Sequence, residues 1–350
     1  MNILVFGAGS VGGYLGAHLA NAGHQVTLVA RDPAATAIQE HGLRVTENGQ
    51  SFVVNPAVVT SLRLAFSDDT KYDLILVCVK SYDVEFAINE LVAFCPSPPP
   101  LITLQNGIGI EELFVKEFGE EKVIAASLTT PLNRETNQTI VVQRSDRGLA
   151  LAPVKAGRRI TPLVDLFQNA GITTIAIKKY QDMKWSKAML NMIGNATSAI
   201  LNRHPKVIYE YGPTFRVEKA MLREMLKVMD KKKIKPVDLP GVSTKQLVFA
   251  IKRLPNAIVQ PILGRVVSSG RGEKMPSFHI DLTARKEKNE VRYHNGAVAE
   301  AGRLVGVETP VNIALNDIVL KLAKGELDFE TFNGNIKQLV VEVRKYYGSK

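Results

Sequence analysis

Apolar residues follow two alternating patterns along the first half of the chain. Short uninterrupted apolar runs are bounded by turn residues, which is typical of buried parallel strands, and the stretches between them have helical periodicity. The predicted strands are residues 3–6, 25–30, 72–79, 101–104, 123–128 and 173–177. The predicted helices are residues 11–22, 84–94, 108–118 and 158–170. This alternation predicts a doubly wound α/β sheet.

Two further pairs of short strands are predicted to form hairpins. Residues 43–46 and 51–54 flank Asn48-Gly49, a dipeptide that strongly favours tight hairpin turns. We expect this hairpin to be a small antiparallel addition to the sheet. Residues 139–143 and 148–151 flank a polar turn and are interpreted as a second hairpin.

The pattern changes near residues 178–181, where a short polar linker precedes a series of helices. Helical periodicity covers residues 183–201, 213–232, 244–253, 276–302, 311–324 and 329–347, whereas residues 235–276 are rich in proline and give a weak pattern. We therefore predict two domains, a doubly wound α/β domain over residues 1–179 and an all-α domain over residues 180–350.

The first predicted strand leads into a glycine-rich turn. Gly7, Gly9 and Gly12 have the spacing G-x-G-x-x-G between a strand and a helix. The first glycine permits a tight turn, the second lets the backbone approach a pyrophosphate, and the third lets the helix pack closely on the strand. The phosphates would lie at the helix N-terminus, where unpaired N–H groups attract anions. This context favours a Rossmann-type dinucleotide site over a strand, turn and helix without a ligand.

Polar residues at the carboxyl ends of later strands extend this prediction, because ligands of open α/β sheets bind there. Arg31 follows the second strand and favours the 2′-phosphate of NADPH, whereas Asp32 beside it leaves NAD open. Lys80 and Asn106 follow the third and fourth predicted strands. A solvated position without a ligand is the alternative interpretation for Arg31 and Lys80.

Composition narrows the class of protein. The chain has 350 residues, of which 45% are hydrophobic and 22% charged, as in an ordinary globular protein. The net charge of +10 is spread over both halves, which favours an anionic small molecule over nucleic acid as a partner. Cys78 and Cys95 lack metal-ligand spacing, so no metal is expected. The N-terminal apolar run is broken by glycines and polar residues, and we expect a cytoplasmic protein that does not associate with membranes.

A polar stripe occupies the first predicted helix of the second domain. Lys187, Asn191 and Asn195 are spaced i, i+4 and i+8, which places them on one helical face. Such a stripe is either a solvent-exposed face or a functional one, and the spacing alone leaves both open.

Together these motifs resemble the ketopantoate reductases, or 2-dehydropantoate 2-reductases. The matching segments occur in the family's order and span nearly the whole chain. They are GAGSVGG at 7–13, VCVKSYD at 77–83, LQNGIG at 104–109, WSKAMLNMIGN at 185–195, PSFHID at 276–281, NEVRYHNGAV at 289–298 and GVETPVN at 306–312. The resemblance implies NADPH-dependent reduction of 2-dehydropantoate to (R)-pantoate, a step toward pantothenate and coenzyme A. It leaves the oligomeric state open, a homodimer included.

The resemblance also assigns roles to individual residues. Lys187 is implied as the general acid and Glu290 as the second catalytic residue, which holds the substrate hydroxyl. The implied cofactor-binding residues are Gly7, Gly9, Ser10, Val11, Gly12, Arg31, Lys80 and Asn106. The implied substrate-binding residues are Lys80, Asn106, Asn191, Asn195, Ser277 and Glu290.

Two departures from the family pattern concern the implied substrate residues. The region between the lysine helix and Pro276 is extended, and Asn289 stands where a small hydroxyl residue often precedes the glutamate. A reductase of another branched 2-keto acid is therefore the alternative function. A third hypothesis, a regulator that senses NADP(H) without turnover, gives no reason for Lys187 and Glu290 together.

Overall fold

The computed structural model describes residues 1–67, 70–271 and 275–348, apart from the side chains of residues 266–271. Within these residues the chain forms two compact units. The first comprises the described residues up to 184 and a short return segment at 239–242, and the second comprises residues 185–238 and the described residues from 243 to 348.

The first unit is built on an eight-stranded sheet, whose strands are numbered in chain order together with those of a second sheet. They are β1 (Asn2–Phe6), β2 (Gln25–Val29), β5 (Ala57–Val59), β6 (Leu74–Val77), β7 (Leu101–Thr103), β8 (Val123–Leu128), β11 (Leu149–Pro153) and β12 (Thr174–Ala176). The sheet order is β12-β11-β8-β7-β6-β1-β2-β5, and all neighbours are parallel except β8 and β11. The predicted doubly wound sheet is therefore confirmed.

The described residues of the first unit also form six helices. They are α1 (Ser10–Asn21), α2 (Asp32–His41), α3 (Leu62–Ala65), α4 (Val84–Phe94), α5 (Ile110–Phe118) and α6 (Thr161–Asn169), with a 3-10 turn at Ser81–Asp83. Helix α1 buries Leu15 and Leu19, which lie one turn apart on its core-facing side. Gly23, at a φ of +86°, ends it in a left-handed turn that the sequence pattern predicts.

A second, four-stranded sheet forms part of the first unit. Its strands are β3 (Leu43–Glu47), β4 (Gln50–Val54), β9 (Leu132–Arg134) and β10 (Thr139–Val142), in the order β4-β3-β10-β9. Asn48 and Gly49 make the turn of the predicted β3–β4 hairpin with φ values of +51° and +77°, which confirms that hairpin. Its expected place in the main sheet is wrong, because β3 pairs with β10 instead.

The predicted hairpin over residues 139–151 is also wrong. Strand β10 belongs to the second sheet, whereas β11 pairs with β8 and β12 in the main sheet. Residues 144–147 therefore carry the chain from one sheet to the other. Gly148 fixes the entry to β11, since its carbonyl accepts from the Thr129 backbone N–H at 2.8 Å and a Cβ there would collide with the Thr173 carbonyl.

His18 links three parts of the first unit. It lies on α1, and its Nδ1 is 3.0 Å from the carbonyl oxygen of Ala170, which follows α6. Its ring packs edge-on against Tyr14 and Phe52, at centroid distances of 4.5 and 5.1 Å. Burial lowers the pKa of His18, although the Ala170 carbonyl and the Glu47 carboxylate oppose this shift.

We expect His18 to make folding pH-dependent. Because its pKa is lower in the folded chain than the ordinary value of 6.5, the unfolded chain binds more protons as the pH falls below that value. The contribution of His18 is therefore complete above pH 6.5 and is lost as the pH falls toward the folded pKa. Urea titrations at pH 7.5 and 5.5 should show a smaller pH effect in His18→Gln than in wild type. Equal pH effects in the two proteins would contradict this role.

The second unit is helical. Helix α7 (Tyr180–Met192) begins in the first unit and continues into the second. The helices that follow it are α8 (Ala196–Leu201), α9 (Pro205–Glu210), α10 (Gly212–Lys231), α11 (Thr244–Arg253), α12 (Asn256–Arg271), α13 (Ser277–Thr283), α14 (Asn295–Val305), α15 (Pro310–Ala323), α16 (Phe329–Phe332) and α17 (Ile336–Arg344), with a 3-10 turn at Glu290–Tyr293. None of the helices in the described ranges has both the length and the apolar character that a membrane crossing needs.

The predicted helix over residues 183–201 is broken in two. Gly194 adopts a left-handed φ of +63° between α7 and α8. Glu218 of α10 is fully buried at this break, where it accepts hydrogen bonds from the Gly194 backbone N–H at 2.9 Å and from the Thr197 hydroxyl at 2.5 Å. A buried acceptor thus compensates for the interrupted helix, and Asn195 becomes the N-cap of α8.

Two other long helices predicted from periodicity are also interrupted. The segment 276–302 forms α13, the 3-10 turn and α14, because Arg285 takes a left-handed φ of +51° after α13. The segment 329–347 forms α16 and α17, separated by Gly334 at a φ of +69°. Periodicity continues across each break because the helices on both sides pack against a common neighbour, α15 for α13 and α14, and α8 for α16 and α17.

Candidate active site

The glycine turn after β1 has the geometry that the sequence predicts. Gly7 has a φ of +105°, and a Cβ there would lie 3.0 Å from the carbonyl carbon of Cys78. A Cβ on Gly12 would overlap the carbonyl oxygen of Gly7 and lie 3.0 Å from the Cys78 Cβ. Gly9 differs, because a Cβ there would meet no atom within 4 Å. Two glycines therefore keep the turn compact, and the third leaves open space above the backbone.

The start of α1 suits a phosphate group. Gly9 is the N-cap and offers no capping side chain, and the first turn, which contains Ser10 and Val11, has no acidic residue. The N-terminal N–H groups and the helix dipole thus face the open space beside Gly9. This donor set fits the pyrophosphate of a dinucleotide.

Arg134 is a residue of this turn that the sequence interpretation missed. It lies on β9, and its Nη1 donates a hydrogen bond of 2.6 Å to the carbonyl oxygen of Ala8, inside the glycine turn. Its guanidinium also donates to the carbonyls of Thr136 and Asn137. Burial lowers the pKa of Arg134. The residue braces the turn and places positive charge beside it.

Arg31 and Asp32 lie at the end of β2, where the sequence places the ribose. The Arg31 side chain is 92% exposed, and its Nη2 is 3.8 Å from a carboxylate oxygen of Asp83. Asp32 begins α2. Since exposed ion pairs of this kind contribute about 0–1 kcal/mol, Arg31 can move toward an anion at little energetic cost.

Lys80 and Asn106 follow neighbouring strands, and hydrogen bonds join their loops. Gln105 donates from its side-chain amide to the carbonyls of Val77 and Val79, at 2.9 and 3.2 Å. Ser81 donates from its hydroxyl to the Asn106 carbonyl at 2.5 Å. Lys80 is exposed and Asn106 is half-buried. The structure therefore brings these two predicted residues onto adjoining, mutually braced loops.

A buried ion pair lies directly behind these loops, and the sequence interpretation missed it. Lys184 Nζ is 2.9 Å from Glu111 Oε1, and the two side chains are 3% and 1% exposed. The same ammonium donates to the Gln105 carbonyl at 2.6 Å. An acidic residue in the first turn of α5 and a lysine beside Trp185 were the only sequence signals, and neither names its partner.

In the second unit, Lys187 and Asn191 lie one turn apart on α7, as predicted. Both side chains are half-buried, so this part of the stripe is not a fully solvated face. Asn195 does not continue the same helical face, because the helix breaks at Gly194. The expected single-helix stripe of three residues is therefore wrong.

Asn195 and Ser277 are brought together, with Asn195 as the link. Asn195 is 2% exposed, and its Oδ1 accepts a hydrogen bond of 3.2 Å from the Phe278 backbone N–H in the first turn of α13. Its Nδ2 donates to the Asn191 carbonyl at 3.1 Å and lies 3.5 Å from the Ser277 hydroxyl. The Asn195 amide thus holds the starts of α8 and α13 together and supports the positions of Asn191 and Ser277.

Glu290 begins the 3-10 turn and is 3% exposed. Asn289 before it is 1% exposed and accepts a hydrogen bond of 2.9 Å from the Val291 backbone N–H. Asparagine therefore performs the capping that a small hydroxyl residue provides. Asn289 departs from the family pattern, but it still caps the 3-10 turn on which Glu290 lies.

The two units thus bring together different subsets of the predicted residues. The first holds the glycine turn, Arg31, Lys80 and Asn106, and the second holds Lys187, Asn191, Asn195, Ser277 and Glu290. No cluster of three or more His, Cys, Asp or Glu side chains suited to a metal ion occurs among the described residues.

Comparison with known families identifies both parts of the chain. The N-terminal domain of the ketopantoate reductases PanE/ApbA matches residues 3–155, and the C-terminal domain of the same family matches residues 179–323. The chain belongs to the ketopantoate reductase family. Curated relatives named 2-dehydropantoate 2-reductase include one from Pyrococcus abyssi, 28% identical over 322 residues that cover 90% of this chain and 95% of the relative. Another, from Halobacterium salinarum, is 27% identical over 91% of this chain and 98% of the relative.

Solved structures share the fold of this ketopantoate reductase family member. A PanE/ApbA family ketopantoate reductase from Ralstonia eutropha JMP134 aligns with a TM-score of 0.78 at 23% identity, covering 93% of this chain and 99% of the other. A D-mandelate dehydrogenase bound to NADH and anilino(oxo)acetate also aligns with a TM-score of 0.78, at 21% identity and the same coverage. The fold is therefore shared by proteins named for different substrates.

Proposed function

We propose that this protein reduces 2-dehydropantoate to (R)-pantoate with NADPH, a step in pantothenate and coenzyme A biosynthesis. The observation that carries the proposal is the family match over both units, residues 3–155 and 179–323. The glycine turn adds independent support, because its open space at Gly9 and uncapped helix start suit a dinucleotide's pyrophosphate.

The chemistry of the second unit's residues suits carbonyl reduction. When bound, the nicotinamide of NADPH supplies a hydride to the 2-keto carbon of the substrate. Lys187 donates a proton to the oxygen of that carbon, on which negative charge develops as the hydride arrives. Its ammonium also stabilises this charge before the proton moves. One half-buried lysine thus serves as both electrophile and general acid.

The neighbouring polar residues anchor the substrate. Asn191 offers an amide on the same helix as Lys187, and Ser277 offers an exposed hydroxyl at the start of α13. Neutral amides and hydroxyls bind a hydroxyl or carbonyl group without competing with the charge on Lys187. Glu290 accepts a hydrogen bond from the substrate hydroxyl. Asn195 contributes mainly by holding α8 and α13, since its amide is engaged there.

A steady-state assay tests the function directly. Purified protein is mixed with NADPH and 2-dehydropantoate, and absorbance at the nicotinamide band is followed, with a panel of other branched 2-keto acids in parallel. We expect the highest kcat/KM with 2-dehydropantoate. NADPH binding without turnover on any acid of the panel would refute a reductase and favour a sensor of NADP(H).

A reductase of another branched 2-keto acid is the second candidate. The extended segment before Pro276 contains α11 and α12, and helix α12 hydrogen-bonds to α9 through Gln260 and the Tyr209 carbonyl at 2.6 Å. This extended segment belongs to the same unit as Ser277 and Glu290, and we propose that it influences which 2-keto acid the enzyme prefers. A higher kcat/KM with another acid in the panel would decide for this candidate.

Arg31→Ala is expected to raise the KM for NADPH about 10- to 100-fold, with little effect on the KM for NADH. The reason is that only NADPH carries the 2′-phosphate, and a charge-assisted hydrogen bond to it contributes about 1.5–3 kcal/mol. Steady-state titration of both cofactors measures the change. Arg63→Ala, which removes another exposed arginine of the same unit, is the matched control. An equal loss for NADH and NADPH would contradict the assignment of Arg31.

A further inference from the structure

The buried ion pair Lys184–Glu111 makes several hydrogen bonds to neighbouring segments in addition to the bond between the two side chains. All three N–H bonds of the Lys184 ammonium have acceptors, namely Glu111 Oε1 at 2.9 Å, the Gln105 carbonyl at 2.6 Å and the Ala126 carbonyl at 3.4 Å. Glu111 Oε1 also accepts a hydrogen bond of 2.9 Å from the Thr103 hydroxyl. The charges are therefore buried but fully compensated.

Stability alone is a weak reason for such a pair. Taking two charges out of water costs about as much as their mutual attraction returns, and apolar side chains of similar size often stabilise a protein equally well. A buried pair does, however, define one geometry, because each of its hydrogen bonds fixes a direction. The role of the pair therefore lies in the segments that its hydrogen bonds hold in place.

The elements that the pair joins carry the predicted cofactor and catalytic residues. The Gln105 carbonyl that accepts from Lys184 immediately precedes Asn106. The Gln105 side chain in turn braces the backbone just before Lys80. On the other side, Lys184 lies in α7, and Lys187 follows it three residues later, one turn along the same helix.

We propose that Lys184 and Glu111 are positioning residues, which set the Lys80 and Asn106 loops and the first turns of α7 for hydride transfer. The inference rests on the proposed function for the role of Lys187. Neither residue touches substrate or cofactor. They act through the Gln105 carbonyl and through the helix that carries the general acid.

The test uses a variant that keeps the charges of the interior balanced. Lys184→Met alone would leave a buried carboxylate without its cation, so the double variant Lys184→Met/Glu111→Gln is preferred. Glutamine still accepts from the Thr103 hydroxyl, whereas methionine removes the donor to the Gln105 carbonyl. Lys155→Met/Glu121→Gln changes an exposed lysine–glutamate pair of the same unit and is the matched control.

Three measurements distinguish a specific effect on the Lys80 and Asn106 loops from a general destabilisation of the first unit. They are the Kd of 2′-phospho-ADP-ribose, which lacks nicotinamide, the Kd of NADPH, and the single-turnover rate of hydride transfer to 2-dehydropantoate. In the double variant we expect an unchanged Kd for the fragment, loss of the extra affinity that NADPH has over it, and hydride transfer slowed about 10- to 100-fold. The exposed control pair should change none of the three.

Two outcomes overturn the proposal. Wild-type NADPH affinity and rate in the double variant would mean that the pair only joins elements. Equal weakening of the fragment and of NADPH would mean that the whole first unit had loosened. If the wild-type protein reduces no 2-keto acid, the proposed function fails, and the comparison of fragment with NADPH still decides whether the pair positions the nicotinamide loops.

Discussion

Replacing Lys187 with alanine is expected to lower kcat by about 10²- to 10⁴-fold, the usual contribution of a general acid. The alanine variant has no donor for the developing negative charge on the keto oxygen, so the barrier to hydride transfer rises. The Kd of NADPH should stay at its wild-type value, because the residues proposed to bind the cofactor's phosphates lie in the first unit. Single-turnover absorbance measurements check the expected loss of rate, and a separate cofactor titration checks the unchanged Kd of NADPH.

The control is a lysine of the same unit without an assigned role. Lys231 is exposed at the end of α10, and Lys231→Ala should leave kcat unchanged. Added primary amines such as methylamine should restore part of the activity of Lys187→Ala, because a diffusing ammonium can take the place of the missing one. Full activity of Lys187→Ala without any amine would remove Lys187 from the mechanism.

Gly12→Ala is expected to lower the stability of the protein, whereas Gly9→Ala is expected to lower its affinity for NADPH. A Cβ on Gly12 overlaps a backbone carbonyl that cannot move independently of the turn, so Gly12→Ala should destabilise the protein by about 3 kcal/mol. A Cβ on Gly9 meets no atom of the protein within 4 Å, and its φ of −72° is ordinary, so Gly9→Ala should fold normally. It should nevertheless weaken NADPH binding, since the methyl group occupies the space for the pyrophosphate.

Denaturation and cofactor titration together distinguish the two variants. Loss of one charge-assisted hydrogen bond of about 1.5–3 kcal/mol in Gly9→Ala corresponds to a rise in Kd of about 10- to 100-fold. Its urea midpoint should match that of wild type, whereas the midpoint of Gly12→Ala should fall. A Gly9→Ala protein that binds NADPH with unchanged affinity would place the phosphates elsewhere.

Short-range patterns predicted the first unit well because its main sheet is made of local strand–helix repeats. The runs at β1, β6 and β7 are buried on both faces and so read as continuous apolar segments. The second sheet was not predicted because it depends on pairing between strands that are distant in sequence. Its pairing of β3 with β10 joins residues far apart in sequence, and a hairpin-like turn such as 144–147 gives no sign that its two flanking strands enter different sheets.

Breaks in the helices of the second unit depend on tertiary partners that periodicity does not reveal. Gly194 alone would be tolerated within a helix, but buried Glu218 offers an acceptor that stabilises the interruption. The same limit applies to the candidate site. The predicted residues were found through motifs near them in sequence, whereas Lys184, Glu111 and Arg134 gain their roles from contacts with distant segments.

The first unit is discontinuous in sequence, because it includes the return segment 239–242. Although the second unit begins at Trp185, the Pro240 carbonyl accepts a hydrogen bond of 2.8 Å from the Thr129 hydroxyl, and the Gly241 carbonyl accepts one from Arg147. A fragment ending at residue 184 would therefore lack part of its own surface. Chimaeras that exchange the second unit between relatives must keep this short segment with its original sheet, so a single crossover between the two units is disfavoured.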